Sequence, residues 1–215
     1  MSNKKNRKKK GPPRPKINEQ IPNSMIRPLV GLGFNSIQQN ARDYPLHGCW
    51  IMAGWEDAGI TPVVVARAQA PDRIMFGVYM VDLYCLGLKD VYTHIDYSLN
   101  HFNRELPKMC IGKPLSCSPE LAHEVIYGAI EYAAKLGFQP HPDFTRQLAD
   151  RMLSPAETYP RVNQVSFGKD GKTLFISGPY DDEWKCRQVV NTLMRTCGEG
   201  NFDYLVNLNG LEEME

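Results

Sequence analysis

Between Thr61 and Tyr84 the chain passes through two apolar stretches separated by Ala70-Pro71-Asp72-Arg73. Thr61 to Gln69 is rich in valine, and its one proline, Pro62, lies near the start, where a missing backbone donor is tolerated. Ile74 to Tyr84 is the longest apolar run in the sequence. Alternation within it is poor, so the pattern predicts a strand buried on both faces. The two runs and their turn predict a central hairpin.

The flanking segments supply the rest of a sheet and its helices. Cys49-Trp50-Ile51-Met52 reads as a strand, with a short helix before it over Asn35 to Arg42. The clearest helix runs from Pro119 to Leu136. Ser118 is a natural N-cap, Pro119 suits the first helical position and Gly137 supplies a stop. Leu121, Val125, Ala129, Tyr132 and Leu136 share one face, and Glu131 and Lys135 form an outer i,i+4 pair. A shorter helix follows from Asp143, with Phe144, Leu148 and Met152 on one side.

Further on, Val162 to Phe167 and Lys172 to Ser177 alternate around Lys169-Asp170-Gly171, which predicts a hairpin. Asp181 or Asp182 then caps a helix carrying Cys186, Val189, Val190, Leu193, Met194 and Cys197, closed by Gly198. Phe202 to Leu208 is a last strand. This order predicts an α+β fold, a mainly antiparallel sheet with packed helices in a single domain over residues 24–215. No strand leads through a Gly-rich phosphate loop into a helix, so a doubly wound nucleotide fold is disfavoured.

The N-terminus differs sharply from this body. Residues 1–16 carry Lys4, Lys5, Arg7, Lys8, Lys9, Lys10, Arg14 and Lys16 and no acidic residue. The remaining 17 Lys and Arg face 24 Asp and Glu, so the rest of the chain has a net charge of about −7. With Pro12, Pro13, Pro15 and Pro22 and few apolar residues, segment 1–23 is expected to be a disordered basic tail. The first residues have no apolar segment after their charges, and no stretch approaches the roughly 18–20 apolar residues of a membrane helix. A cytoplasmic protein with no membrane contact is therefore expected, its six cysteines free thiols.

Chemistry-bearing residues concentrate in a few places. His47, Asp82, Cys85 and Lys89 are candidates for a catalytic group, because an imidazole or ammonium beside a thiol lowers its pKa and activates it. Asp82 lies in an apolar run and needs a partner, for which Lys89 and His47 are available. The alternative is structural, with Cys49 and Cys85 in the core and Asp82 accepting backbone hydrogen bonds. His94, His101, Cys110, Cys117 and His123 are of the types that bind zinc. Their spacing fits no known zinc motif, His123 is expected to be half-exposed, and no metal or cofactor is expected. His141 between Pro140 and Pro142 reads as a helix–helix connection with Asp143 as its cap, and Gly198-Glu199-Gly200-Asn201 as a tight helix-to-strand turn.

Five segments together resemble a family of bacterial proteins with no assigned activity. They are Pro45-Leu46-His47-x-Cys49, Phe76-Gly77-Val78-Tyr79-Met80-Val81-Asp82-x-Tyr84-Cys85-Leu86-Gly87-x-Lys89, Tyr127 to Asp143, Gly178-Pro179-Tyr180-Asp181-Asp182 and Gly198-Glu199-Gly200-Asn201-Phe202. The resemblance covers most of residues 44–206 and implies a cytosolic bacterial protein. The family has an acidic residue between the His and Cys of the first motif, where this chain has Gly48. The basic arm lies outside the resemblance.

Two functional expectations result. One is a non-enzymatic protein that contacts nucleic acid or a ribonucleoprotein through Lys4, Lys5, Arg7, Lys8, Lys9 and Lys10, whose charges suit phosphate. The other is a small cytosolic enzyme with its site around Cys85.

Overall fold

The computed structural model describes residues 37, 39–161 and 165–206. Its centre is a five-stranded antiparallel sheet of β1 (Leu46–Met52), β2 (Ile60–Ala70), β3 (Arg73–Asp82), β4 (Gly87–Ser98) and β5 (Pro114–Cys117). The strands lie in the order β4-β3-β2-β1-β5, so the expected β2–β3 hairpin is central. A four-residue helix, α1 (Trp55–Ala58), joins β1 to β2.

Every residue of β2 between its two ends is buried, which requires cover on both sides. On one face, Val63, Val65, Met75 and Tyr79 pack with Ala122, Val125, Ile126 and Ala129 of helix α3 (Pro119–Lys135). On the other, Val64, Ala66, Ile74, Phe76 and Val78 meet Phe102 and Leu106 of helix α2 (Leu99–Met109). Burying a side chain the size of Phe102 contributes about 1.5–3 kcal/mol.

Helix α3 begins and ends as the sequence predicts. Ser118 Oγ accepts from the Leu121 N–H at 3.1 Å. At the other end the Gly137 and Phe138 N–H groups bond the carbonyls of Ala134 and Ala133, with Gly137 at φ +90°. That is a Schellman stop, which satisfies carbonyls that would otherwise lack partners. Glu131 pairs with Arg161 rather than with Lys135.

Other expectations require correction. The helix expected from Asp143 is two short pieces, α4 (Asp143–Arg146) and a 3₁₀ turn at Ala149–Arg151. Leu148 between them stands at φ +54°, which no continuing helix permits. Asp143 is not the cap; Pro142 holds that position without a side-chain bond. Of the segment expected to be helical over Asn35–Arg42, the described part ends in a 3₁₀ turn at Ala41–Asp43.

The turn at Lys169–Lys172 forms with reciprocal backbone bonds of 2.7 and 3.0 Å, and Asp170 and Gly171 both take positive φ. The strand after it does not pair back across this turn. β6 (Thr173–Ile176) pairs in parallel with β7 (Phe202–Leu205), and residues 165–167 are not a strand. Helix α5 (Glu183–Cys197) makes the crossover. Asp182 caps it by accepting from the Lys185 N–H at 2.7 Å. This small β6-α5-β7 unit has its own cluster, with Phe175, Cys186, Val189, Leu193 and Phe202 buried. The molecule is α+β, a single antiparallel sheet with helices plus this unit. The basic tail, residues 1–23, lies outside the described residues.

Candidate functional site

β3 ends at Asp82, and the chain turns through residues 83–86 before β4 starts at Gly87. Asp82 is 3% exposed. Its Oδ1 accepts from the Tyr84 N–H at 2.9 Å and the Cys85 N–H at 3.0 Å. The Asp82 carboxylate is thus spent on holding a tight turn. Burial pushes its pKa up, while the N–H groups of Tyr84 and Leu86, the charge of Lys89 and the Cys85 N–H act against that rise.

The same turn is bound to three other parts of the chain. Leu83 N–H donates to the Gly59 carbonyl, Gly168 N–H to the Leu83 carbonyl and Leu174 N–H to the Tyr84 carbonyl. Gly87, at φ +67°, lies so close to α3 that a Cβ there would stand 2.8 Å from both the Ala129 carbonyl oxygen and Ala133 Cβ. The turn therefore joins the main sheet to β6 and to α3.

Cys85 has no exposed surface and packs in the cluster with Phe175, Cys186, Leu193 and Phe202. Burial, reinforced by the Asp82 carboxylate, pushes its thiol well above the ordinary range. Such a thiol is a core residue. Nucleophilic cysteines need exposure and an electropositive neighbour that prevails.

Lys89 extends from β4 to Asp181, with Nζ 3.8 Å from Oδ2. The other Asp181 oxygen takes Lys185 Nζ at 2.6 Å, and Gly178 N–H donates to Oδ2 at 2.7 Å. Asp181 is thus the buried anchor of the Gly178–Asp182 segment, while Asp182 caps the helix. His47 stands apart. It lies on β1 among Trp50 and Phe102, with ring centroids 6.0 and 6.4 Å away. Leu46 pairs with Arg67 on β2, whereas Asp82 pairs with Ile60. Seven residues of strand, about 23 Å at 3.3 Å per residue, separate the two positions. The structure brings Asp82, Cys85 and Lys89 to one corner and leaves His47 at the far end of the sheet.

The residues of zinc-binding type do not converge. Among the described residues no group of three or more His, Cys, Asp or Glu side chains could hold a metal. Cys117 on β5 faces Cys49 on β1, and burial pushes both thiols up to about 12. His123, expected at the surface, is 5% exposed. Its Nε2–H donates to the Pro155 carbonyl at 2.9 Å, and burial holds its pKa below the ordinary imidazole value. His141 connects as expected, its N–H on the Leu88 carbonyl and its Nδ1 accepting from the Asp143 N–H. In the Gly198–Asn201 turn, Asn201 Nδ2 donates to the Cys197 carbonyl at 2.8 Å.

Two features escaped the sequence reading. Arg67 is 6% exposed, and its guanidinium donates to the carbonyls of Met152, Tyr44 and Arg42. It clamps the Ala149–Leu153 turn to the sheet and pairs with no carboxylate among the described residues. The second is a group of aromatic rings on β4, Tyr92, His94 and Tyr97, beside α2. Its signal is the spacing Tyr92-x-His94-x-x-Tyr97, which puts Tyr92 and His94 on one face of a strand.

The six basic residues Lys4, Lys5, Arg7, Lys8, Lys9 and Lys10 lie outside the described residues. Among the described residues no helix is long and apolar enough to cross a membrane. Comparison of the chain with models of protein families, with curated proteins and with solved structures found no match.

Proposed function

We propose that this protein is a non-enzymatic binding protein that contacts nucleic acid, free or in a ribonucleoprotein, through Lys4, Lys5, Arg7, Lys8, Lys9 and Lys10. The observation that carries this reading is the charge division, eight cations and no acid in residues 1–16 against a body of about −7. Such an arm neutralises phosphates without reading bases, because it has no aromatic side chain to stack on them. The acidic body favours a partner held by the arm over one spread across the whole surface. The rival reading, a thiol enzyme at Cys85, has less support, since its thiol is buried and His47 is remote.

The test is binding to a nucleic acid at several salt concentrations, with the six basic residues replaced by Gln in a full-length variant. Affinity of the unaltered protein should fall steeply with salt, as expected when several counterions are released. The variant should lose most binding at low salt. A variant that binds as tightly as the parent would show that the arm is not the contact.

A further inference from the structure

The α2 face of the sheet is incompletely covered. Helix α2 buries Phe102 and Leu106 in the cluster with Phe76 and Val78 and also contacts the edge strand β4. Between them opens a groove of about 280 Å³, with Phe76 at its base, Tyr92, His94 and Tyr97 along β4 and Glu105 and Lys108 on α2. Tyr92 is 40% exposed.

The rings are placed as a graded series. Tyr92 stands edge-on to His94, at 81° and 5.8 Å, and His94 is tilted against Tyr97 at 44° and 5.4 Å. Tyr97 in turn is stacked on His101, at 26° and 5.0 Å. Phe76 supports both His94 and Tyr97 from below, at 5.2 and 5.3 Å. The neighbours on the sheet therefore hold the rings in position, and Tyr92 is exposed. Lys108 Nζ bonds both Glu105 oxygens, at 3.2 and 3.0 Å, so the helix side of the groove carries an exposed ion pair whose two members a polar ligand would share.

A planar, polar-edged heterocycle fits these groups. Stacking on an aromatic ring tolerates any base, a carboxylate accepts from an exocyclic amine, and an ammonium meets phosphate. Bases in a duplex are stacked on each other and present no free face. We propose that this groove takes an unpaired nucleobase, so that the nucleic acid engaged by the basic arm is single-stranded. The proposal rests on the arm reading above and supplies what the arm lacks, a stacking surface.

The geometry of attachment agrees. Ala68 N–H donates to the Pro45 carbonyl, Ala68 lies opposite Ile74, and Ile74 lies opposite Tyr97. The chain thus enters the sheet at the same end as the groove.

The experiment measures fluorescence anisotropy of labelled single-stranded and duplex oligonucleotides of about 20 nucleotides, a length exceeding one single-strand site. Full-length protein is compared with Tyr92→Ala, with Tyr92→Phe and with the variant carrying six Gln residues in the arm. Circular dichroism checks that each is folded. Tyr92→Ala should weaken single-strand binding about five-fold or more, leave duplex binding and the salt slope unchanged, and be rescued by Tyr92→Phe. The six-Gln variant should lose binding to both nucleic acids.

Equal single-strand affinity for Tyr92→Ala and the parent would overturn the groove while leaving the arm reading intact. Tighter binding of both nucleic acids by Tyr92→Ala would also overturn it, since the groove would then hold the protein's own arm. If the parent binds neither nucleic acid at low salt, the arm reading fails instead. The groove is then decided by titrating a nucleoside monophosphate and following the Tyr92 ring by NMR. A saturable shift supports the groove, and an unmoved resonance overturns it.

Discussion

The Asp181 carboxylate lies between two ammonium groups, Lys89 Nζ at 3.8 Å and Lys185 Nζ at 2.6 Å, and so ties β4 to the start of α5. Burial alone would raise its pKa, but Lys185, the Gly178 N–H and Lys89 outweigh that and hold it below the ordinary carboxylate value. A carboxyl lowered on folding stabilises the native state above its unfolded pKa, and that contribution is lost as pH falls through the folded value.

Asp181→Asn should therefore unfold at lower urea than the parent at neutral pH. The gap should narrow as pH falls below the unfolded value and through the lowered folded one, where the parent carboxylate takes up its proton. A gap that is unchanged with pH would show that the ion pairs contribute nothing. Asp182→Ala, which removes the cap, should cost about 1 kcal/mol.

Asp82 has the opposite sign. Its pKa is raised on folding, so the native state holds its proton more tightly and loses stability as pH rises from the unfolded value through the folded one. Asp82→Asn keeps an acceptor for Tyr84 and Cys85 without a buried charge and should stay within about 1 kcal/mol of the parent at neutral pH. Asp82→Ala strands both N–H groups and should cost about 2–4 kcal/mol. Equal damage from the two substitutions, read by chemical denaturation, would mean that accepting hydrogen bonds is not what Asp82 does.

Cys85 should resist iodoacetamide in the native protein at neutral pH, as should Cys117 with its raised thiol, while the partly exposed Cys197 is alkylated first. Peptide mapping by mass spectrometry gives the order. Native labelling of Cys85 at rates matching an exposed thiol would reopen the enzyme reading.

Gly87 and Gly171 both have positive φ, yet they differ in surroundings. A Cβ at Gly87 collides with α3, whereas one at Gly171 meets nothing within 4 Å. Gly171→Ala should cost about 1 kcal/mol for the backbone conformation alone. Gly87→Ala should cost about 2–4 kcal/mol, since overpacking is added. Similar thermal midpoints for the two would remove the close approach of the turn to α3.

The long buried hairpin and the capped helix α3 were legible because local pattern and tertiary environment agree there. β4 was missed because it is an edge strand. Its outward positions carry Asp90, His94 and Asp96, and Lys89 and Thr93 interrupt what remains of an apolar pattern. In α2, Pro107 in the last turn reads as a break, and β5 is four residues long and starts with proline. The hairpin expected before β6 failed for a different reason. The Asp170-Gly171 turn forms, but a parallel partner beyond a helix leaves no local signal. The burial of Asp82 could be anticipated from its apolar neighbours. Its choice of backbone over Lys89 could not, because the competing Asp181 is distant in sequence.

The packing of Cys85 has a consequence for amide exchange. Its side chain belongs to the main sheet by sequence but fills the core of the β6-α5-β7 unit. That unit meets the rest of the chain through Leu136, Tyr132, the Leu174 bond to Tyr84 and the Lys89–Asp181 pair, and we expect it to open as a sub-global cooperative event below the free energy of complete unfolding. When it opens, the turn at residues 83–86 loses the Leu174 bond to Tyr84 and its apolar cover at once. The amides of Tyr84 and Cys85 should then share the exchange free energy of β6 and β7, while those of β2 exchange only with the whole domain.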